Sequence, residues 1–386
     1  MTEVFIRAAV RTPMGGLQGA LAPMSAPELG AVAIAAAVER SGIAPDSVDQ
    51  VLMGCVLPAG QGQAPARQAA LGAGLPQSTP AVTLNKMCGS GMQALMMASD
   101  AVRAGSAHTV IAGGMESMTN APYLLAKMRG GARLGHGQVM DSMFLDGLED
   151  AYDKGRLMGS FAEACADAFQ FTRQAQDDYA LRSLSRANDA INGGRFADEV
   201  VGVPVPARSG PVDVAVDEQP GQARPEKIPS LKPAFRKDGT VTAANSSSIS
   251  DGAAALVVTD DATGALARIV GYATHAQAPA EFATAPGPAA EKLLTKIGWS
   301  KDDVDLWEVN EAFAVVPMAF IQTLGLDPDK VNVNGGACAL GHPIGASGAR
   351  IVVTLLHALR ARGLRRGVAA ICIGGGEGTA IAVELV

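Results

Sequence analysis

One cysteine of the sequence, Cys88, lies in a setting that favours nucleophilic chemistry. It belongs to the segment Asn-Lys-Met-Cys-Gly-Ser-Gly (85–91), between a strand-like run and a helix-like run. The unpaired N–H groups and the dipole of a helix start favour a thiolate, and glycines permit a sharp turn and close approach of a substrate. We therefore interpret Cys88 as a nucleophile that forms a covalent intermediate. The alternative is a small core residue, which is the common role of a cysteine in an apolar chain.

His342 is a candidate proton acceptor, because it is held between Gly341 and Pro343 just before a helix-like segment. Such a rigid frame suits a side chain that has to keep one orientation. A histidine that titrates near neutral pH accepts the proton of a thiol. The chain has five histidines, and the others lack such a frame. The alternative for His342 is a turn residue whose imidazole is satisfied locally.

Two predicted strand ends supply further polar groups. Cys372 lies at the end of an apolar run, and the glycine turn that begins at Gly374 offers N–H groups to a phosphate or a developing oxyanion. Asn310 follows another apolar run, where open α/β sheets place site residues, although an asparagine that caps the next helix fits equally well. A zinc site is disfavoured, because no two cysteines have the spacing of a ligand pair.

Composition excludes several classes of function. The chain has 386 residues, of which 48% are hydrophobic, and 31 basic against 38 acidic residues give a net charge of −7. A mildly acidic chain is not expected to bind nucleic acid or to insert into membranes, and no apolar run approaches the ~20 residues of a bilayer span. Five cysteines without a CxxC pair do not indicate a disulfide framework. We therefore expect a cytoplasmic protein.

An internal repeat organises the chain. Segment 41–51 resembles segment 297–307: in each, a helix-like run ends at a glycine, an acidic turn follows and Val-Asp opens a strand. Later, each half has a strand, a glycine-rich turn, an amphipathic helix and a strand that ends in glycines. Two copies of one α/β unit explain this pattern. The stretch 119–242 has no counterpart, and we expect a surface insertion with one helix at 172–191.

Apolar spacing predicts the helices and strands that hold the candidate residues. One helix is predicted after Ser90, with its end at Gly105, and another after Ser347, with its end at Gly363. The short apolar runs before the two glycine turns predict buried strands, as in a sheet that is covered on both faces.

Five segments together resemble the signature segments of the thiolase family, in the same order along the chain. The segments are 85–94, 113–118, 310–314, 332–350 and 372–376. The resemblance implies a duplicated α/β fold: two βαβαβαββ halves packed as an α/β/α/β/α five-layer core, with an inserted loop domain. The implied division gives the first half 1–118 and 243–264, the loop domain 119–242 and the second half 265–386.

The same resemblance implies acyl transfer between coenzyme A thioesters through a covalent thioester on Cys88. It assigns removal of the thiol proton to His342, and exchange of a proton with the Cα of an acyl-CoA to Cys372. One oxyanion hole would use His342 and a water held by Asn310, and the other would use the N–H groups of Cys88 and Gly374. Both cleavage of a 3-ketoacyl-CoA by CoA and condensation of two acetyl-CoA fit this scheme.

The resemblance also implies the binding residues. Coenzyme A is expected as substrate and product, with no permanently bound cofactor or metal. Ser247 matches a contact of the pantetheine, and Arg224 is the candidate for the phosphates, with Lys227 and Lys232 as further candidates. Other matched positions line the pantetheine tunnel and acyl pocket: Leu148, Met158, Phe235, Ala243, Ala312 and Phe313. A homo-oligomer, a dimer of dimers, is implied too.

Three residues depart from the family pattern. Leu157 stands where many biosynthetic acetoacetyl-CoA thiolases carry histidine, so a longer or different acyl chain is expected to be tolerated. Glu377 adds negative charge near Cys372 and is expected to disfavour its thiolate. Cys338 stands where an aliphatic residue is common and is interpreted as a core residue.

Two alternative functions remain open at this point. A β-ketoacyl synthase shares the duplicated fold, but it typically sets its cysteine against two histidines or a histidine and an asparagine. A catalytically silent acyl-CoA or lipid-binding protein of the same fold is the other alternative. The presence of all four expected catalytic side chains disfavours the silent protein.

Overall fold

The alternation of strands and helices follows the repeat in the sequence. The computed structural model describes residues 2–386. The first half contains β1 (Phe5–Arg11), β2 (Gly15–Gly16), α1 (Ala26–Ser41), β3 (Gln50–Gly54), α2 (Pro65–Gly72), β4 (Ala81–Leu84), α3 (Ser90–Arg103) and β5 (Thr109–Ser117). The insertion contains β6 (Tyr123–Leu125), β7 (Val139–Asp141), α4 (Met158–Phe169), α5 (Arg173–Asn192), β8 (Val203–Val205), β9 (Val212–Val214) and α6 (Glu218–Gln222). After β10 (Ser250–Thr259), the second half contains β11 (Ala267–Ala276), α7 (Pro286–Ile297), β12 (Leu306–Val309), α8 (Val315–Leu324), α9 (Ala337–Leu340), α10 (Ile344–Arg362), β13 (Arg366–Ile373) and β14 (Glu377–Leu385).

The strands form two layers that share one seam. Their order is β12-β13-β14-β11-β1-β10-β5-β3-β4, with β2 paired to β10. At the seam, β1 and β11 pair through Phe5 with Arg268 and Ile6 with Ala267. α3 and α10 pack between the two layers, α1 and α2 cover the outer face of the first, and α7 and α8 cover that of the second. The predicted five-layer α/β/α/β/α core is therefore confirmed.

The second half departs from the predicted pattern at one strand. The counterpart of β4 is a single bridge between Trp307 and Val331. The next residue, Asn332, has a φ of 50°, in the left-handed region that cannot continue a pleated strand. Its amide donates to the carbonyl oxygen of Val309 and to the carboxylate of Glu311, both at 2.8 Å. These side-chain bonds hold the turn, so the expected strand is reduced to one bridge.

The predicted helix ends are confirmed. Gly105 follows the end of α3 with a φ of 71°, and Gly363 caps α10 with a φ of 64°. The helix predicted in the insertion is α5, and the Thr172 hydroxyl caps it. α10 begins at Ile344, three residues before the predicted start, because the preceding proline already occupies the N-cap position.

α3 and α10 cross where each has a glycine. A side-chain carbon on Gly91 would lie 2.7 Å from a backbone nitrogen of α10, and one on Gly348 would lie 2.5 Å from a backbone nitrogen of α3. Real side-chain carbons do not approach backbone so closely, so only glycine fits at both positions. The crossing brings the first turns of both helices together, and the candidate cysteine and histidine precede those turns.

The insertion contributes to the core as well as to the surface. α4 buries Phe161 and Ala162 against the second half, whereas β6 and β7 form a hairpin in which Tyr123, Leu125 and Val139 are exposed. The expectation of a purely superficial segment is thus wrong for α4. Across residues 2–386, no helix has both the length and the apolar character needed to cross a bilayer.

Candidate active site

Cys88 lies in the turn between β4 and α3, next to Gly89, which caps the helix. Its partly buried side chain packs against the central core and faces the backbone N–H groups of Gly374 and of Cys88 itself. Burial raises the pKa of Cys88 to about 11, and outweighs the two N–H groups, which lower it. The thiolate expected from the helix start is therefore wrong for the free protein, whose resting form is the thiol.

Cys372 lies near the end of β13 and is 1% exposed. Burial raises its pKa well above the ordinary value, and a charge on Cys88 would raise it further. The two sulfurs thus lie close enough to influence each other's ionisation. Simultaneous ionisation of both is disfavoured, so a proton has to remain with one of them until one sulfur is acylated.

Glu377 has a different effect from the one expected from the sequence. Its carboxylate pairs with the Nζ atom of Lys86, in the turn that leads to Cys88. The two side chains are 23% and 37% exposed, for Lys86 and Glu377 respectively. The lysine charge compensates the carboxylate, so the expectation that Glu377 disfavours a Cys372 thiolate is wrong. The pair instead connects the Cys88 turn to the end of the glycine turn.

His342 is 6% exposed and precedes α10. Its Nδ1 atom lies 2.5 Å from the hydroxyl of Ser347, which in turn donates to the carbonyl oxygen of Pro343 at 2.9 Å. Because the hydroxyl proton is used there, the hydroxyl oxygen accepts the hydrogen of Nδ1, and Nε2 keeps a lone pair. Burial, followed by the charge of Arg350, lowers the pKa of His342 to about 3. The expected near-neutral titration is wrong, yet a neutral imidazole with an available Nε2 is the form that accepts a proton.

Asn310 lies beside this nitrogen. Its Nδ2 atom is 3.4 Å from Nε2 of His342, while its Oδ1 atom is buried and has no hydrogen-bond partner among residues 2–386. An unpaired buried amide oxygen costs ~1–3 kcal/mol, which a bound water or substrate group would offset. The helix-cap interpretation is wrong, because α8 begins only at Val315.

Glu311 connects the insertion to the walls of the site. It is fully buried. Its carboxylate accepts hydrogen bonds of 2.7–3.0 Å from the Tyr179 and Ser183 hydroxyls, the Asn332 amide and the Cys338 backbone N–H. These donors come from α5, from the turn between α8 and α9, and from α9. The carboxylate therefore fixes the insertion against the part of the second half that carries Asn310.

Two of the apolar residues predicted for the acyl pocket, Leu148 and Met158, lie near the Cys88 turn and Gly374. Leu148 packs in a cluster that includes Cys88. The sulfur of Met158 lies 3.4 Å from the position that a side-chain carbon on Gly374 would take. Leu157 forms the N-cap of α4 next to it. These residues place apolar surface beside the N–H groups that face the cysteine sulfur.

A second group of predicted residues forms an aromatic wall. The rings of Phe235 and Phe313 meet edge to face with their centroids 6.0 Å apart. Phe235 lies so close to Gly159 that a side-chain carbon there would come within 2.3 Å of the ring. The Ser247 hydroxyl donates to the carbonyl oxygen of Ala312 at 2.9 Å. This bond fixes the return segment against the residues that follow Asn310.

A cleft of about 380 Å³ opens beside the return segment. It brings together two predicted residues, Arg224 and Ala243, and the candidate Lys227, whereas Lys232 is not part of its wall. Cys338 also lines this cleft, so its interpretation as a core residue is wrong. Among residues 2–386, the histidine, cysteine and carboxylate side chains form no group of three or more that fits a metal ion.

The halves seen in the fold correspond to two family models. The thiolase N-terminal domain matches residues 4–262, and the thiolase C-terminal domain matches residues 263–385. The chain belongs to the thiolase family. The resemblance to thiolases seen in the sequence is therefore confirmed, and it favours a thiolase over the β-ketoacyl synthase considered as an alternative.

Similar thiolases cover the whole chain. The acetyl-CoA acetyltransferase of Cupriavidus necator is 49% identical over 392 residues, which cover 100% of each chain. That of Pseudomonas aeruginosa is 49% identical over 389 residues, which cover 99% of each chain. The crystal structure of the Bacillus anthracis acetyl-CoA acetyltransferase has a TM-score of 0.97 and 42% identity, and covers 100% of this chain and 99% of that one. A thiolase of Ascaris suum in complex with coenzyme A has a TM-score of 0.94 and 42% identity, with 100% of each chain covered. The predictions of a thiolase enzyme and of the thiolase fold are thereby confirmed.

Several site residues of this thiolase were not found from the sequence. Ser347 was predicted only as a helix start, although it orients His342. Lys86 was part of a motif without a role, and Glu311 was noted only as the polar neighbour of Asn310. All three residues lie in segments that resemble the thiolase signatures, and this was the available signal. The spacing of residues in a segment does not show which side chains contact each other.

Proposed function

We propose that this thiolase transfers acyl groups between coenzyme A thioesters through an acyl-enzyme on Cys88, with acetoacetyl-CoA among its substrates. The observation that carries this proposal is the pair of backbone N–H groups, from Cys88 and Gly374, that face the Cys88 sulfur. A thioester formed on that sulfur would place its carbonyl oxygen beside these donors, as in an oxyanion hole. The names of the relatives, acetyl-CoA acetyltransferases, support the same reaction.

In the first step, Nε2 of His342 accepts the thiol proton while the Cys88 sulfur attacks the thioester carbonyl of an acyl-CoA. A bond from the Cys88 sulfur to the acyl carbon forms, the bond from that carbon to the CoA sulfur breaks, and the proton passes to the departing CoA. Because the pKa of His342 is lowered to about 3 and that of Cys88 is raised to about 11, a stable ion pair is disfavoured. Proton transfer therefore accompanies carbon–sulfur bond formation.

In the second step of condensation, Cys372 acts as the base. Once Cys88 is acylated, the Cys372 thiol gives up its proton to solvent, and the resulting thiolate takes a proton from the Cα of a second acetyl-CoA. The carbanion attacks the Cys88 thioester, the Cys88 sulfur leaves as a thiolate, and the proton held by Cys372 passes to it. A thiol with a raised pKa is a strong base once ionised, which suits removal of a proton from carbon. The water proposed at the unpaired oxygen of Asn310 donates a hydrogen bond to the enolate oxygen, and His342 adds a second donor when its Nε2 atom carries a proton. Thiolysis follows the same path in reverse.

We propose that coenzyme A occupies the 380 Å³ cleft, with its phosphates toward Arg224 and Lys227, which line it. The pantetheine would pass Ser247, which is not part of the cleft wall but lies between two residues that are, Ser246 and Ser248. Coenzyme A is then substrate and product, and no permanently bound cofactor takes part.

The domain boundaries at 118, 242 and 264 remain part of this proposal, as do the dimer of dimers and the cytoplasmic location. Size-exclusion chromatography with light scattering tests the oligomer, and a monomeric mass would refute it.

The decisive experiment is loss of the absorbance of magnesium-complexed acetoacetyl-CoA when CoA is added, repeated with 3-ketoacyl-CoA of increasing length. We expect turnover by the native chain and none by Cys88→Ser. Cys372→Ala should still become labelled by radioactive acetyl-CoA but should not condense it. A folded native chain that binds CoA without turnover at any chain length would favour the silent binding protein.

A further inference from the structure

A buried carboxylate, that of Glu116, plays no part in the reaction described above. Glu116 is 0% exposed and belongs to the second of the segments that resemble thiolases. Its Oε2 atom accepts hydrogen bonds from the N–H groups of Val56, at 2.9 Å, and Gly345, at 2.8 Å. Its Oε1 atom accepts from the N–H of Leu57 at 3.2 Å and from the Cys55 thiol at 3.6 Å. One carboxylate thus satisfies four donors.

These donors belong to both halves of the protein. Glu116 lies on β5 and three of its donors follow β3, whereas Gly345 is the second residue of α10. A side-chain carbon on Gly345 would lie 2.7 Å from the Glu116 carboxylate, and one on Gly114 would lie 2.0 Å from the carbonyl oxygen of Gly345. The start of α10 is therefore pressed directly against the ends of β3 and β5, with the carboxylate between them.

The first turn of α10 also holds the histidine. Ser347, two residues after Gly345, bonds to the carbonyl oxygen of Pro343 and to Nδ1 of His342. A displacement of this turn would move the hydroxyl and so the imidazole. Glu116 fixes the turn through the N–H of Gly345, which makes the direction of the imidazole depend on a carboxylate from the other half.

The charge of Glu116 is not favourable for folding. Burial raises its pKa from the ordinary 4.5 to about 7, although its hydrogen bonds lower it. A raised carboxyl pKa means that stability is highest below pH 4.5 and decreases as the pH rises through about 7, where the ionised form accumulates. Loss of the charge is therefore not expected to unfold the protein. The titratable groups that face Glu116 are the thiols of Cys55 and Cys88, and α10 presents the N–H of Gly345.

We propose, on the basis of the function proposed above, that Glu116 is a positioning residue for proton transfer from Cys88 to His342 and acts through Gly345 and the first turn of α10. A glutamine has the same shape but only one acceptor oxygen. Its amide nitrogen has to face one of the two pairs of donors, so the turn or the Cys55–Leu57 segment loses its partner.

The first test is steady-state thiolysis by Glu116→Gln. We expect kcat to fall about 10- to 100-fold with KM values within about twofold, because orientation and not binding is disturbed. The thermal midpoint at mildly alkaline pH should be unchanged or higher. The control is Glu163→Gln, whose carboxylate is 1% exposed and accepts backbone N–H groups of Thr240 and Val241. Its kcat should stay within about threefold of the native value.

A double-mutant cycle separates positioning from general structural support. In a His342→Ala background, Glu116→Gln should lower the remaining kcat by less than about twofold, because the group that Glu116 orients is already absent. Losses that multiply in the double variant, or a native kcat in the single variant, would overturn the proposal. If Glu116→Gln does not fold, Glu116→Asp replaces it, because aspartate keeps the charge on a shorter side chain. It should lower kcat by the same factor, and its effect should likewise not multiply with that of His342→Ala.

A measurement without substrate keeps this inference distinct from the proposed function. Removal of the Glu116 charge should shift the pH dependence of Cys88 alkylation by iodoacetamide to lower pH, because the carboxylate opposes the thiolate. Glu163→Gln should leave this pH dependence unchanged. A native chain without thiolase turnover would refute the proposed function, whereas an unshifted alkylation profile in Glu116→Gln would refute only the influence of Glu116 on the site.

Discussion

The Nδ1 atom of His342 and the hydroxyl of Ser347 are 2.5 Å apart, and this contact determines the form of the imidazole. The hydroxyl donates its hydrogen to the carbonyl oxygen of Pro343, so the hydroxyl oxygen accepts the hydrogen of Nδ1. Nε2, next to Asn310, is left with a lone pair. The serine thus selects the tautomer with a free Nε2 lone pair, which is the form that the proposed transfer of the thiol proton requires.

Replacement of this serine should impair turnover without affecting folding. We expect Ser347→Ala to lower kcat about tenfold and to leave KM nearly unchanged, because the tautomer and the direction of the ring are no longer fixed. Steady-state thiolysis measures both constants. The control is Ser106→Ala, since this exposed hydroxyl follows α3 and bonds to the carbonyl oxygen of Ala101 in its last turn. A native kcat in Ser347→Ala would contradict the role of the serine.

The ionisation of Cys88 provides a prediction about pH. Because burial raises its pKa to about 11, the free protein should be alkylated about tenfold faster for each pH unit between about pH 7 and pH 10, without a plateau. Iodoacetamide with mass spectrometry measures this rate, and Cys88→Ser identifies labelling elsewhere. A plateau near neutral pH would show a preformed thiolate and imidazolium, contrary to the raised pKa of Cys88 and the lowered pKa of His342.

The unpaired oxygen of Asn310 provides a prediction about the oxyanion. We expect Asn310→Ala to lower kcat about 100-fold, in line with the ~3 kcal/mol contributed by one oxyanion donor. Asn310→Asp keeps the shape but sets a negative charge beside Nε2, which stabilises the imidazolium. Its pH–rate profile should therefore show a histidine pKa higher than in the native chain. An unchanged kcat in Asn310→Ala would exclude the proposed water.

The ion pair between Lys86 and Glu377 provides a prediction about coupling. We expect Lys86→Met and Glu377→Gln each to lower kcat about two- to fivefold, and the double variant to lose no more than either single variant. Solvent screens this partly exposed pair, so its contribution is at most about 1 kcal/mol and should decrease at high salt. Losses that multiply would show that the two residues act independently.

The cleft provides a prediction about coenzyme A. We expect Arg224→Ala and Lys227→Ala each to raise KM for CoA about three- to tenfold with little change in kcat, and high salt to weaken both effects. Lys232→Ala is the matched control, because this lysine lies on the same segment but outside the wall of the cleft. An equal effect of all three variants would indicate general attraction instead of a phosphate site.

The elements that hold the site were predictable because their signals are local. Glycines with a left-handed backbone end α3 and α10 where the apolar periodicity stops. Thr172 caps α5, and a hydroxyl residue before a helix-like run is the usual sign of a helix start. The two similar halves followed from the repeat, and the five layers from the family resemblance. The missing strand at Asn332 was not predictable, because its side chain bonds to the backbone of Val309 and the carboxylate of Glu311, which lie 23 and 21 positions away in the chain.

The ionisation states were not predictable, because they depend on tertiary surroundings. A helix start and two glycines indicated a thiolate at Cys88, but burial in the assembled core dominates. The lowered pKa of His342 has the same cause. The partner of Glu377 lies 291 positions away in the chain, so its compensation by Lys86 became visible only in the structure. Such contacts leave no periodic pattern in the sequence.

The glycine crossing of α3 and α10 also constrains how thiolases of this kind exchange segments. Gly91 belongs to one half and Gly348 to the other, and neither position has room for a methyl group. A recombinant that joins one half of this chain to the complementary half of a relative can assemble only if both glycines are retained. Inheritance of the two halves is therefore linked at two positions whose constraint is the packing of α3 against α10.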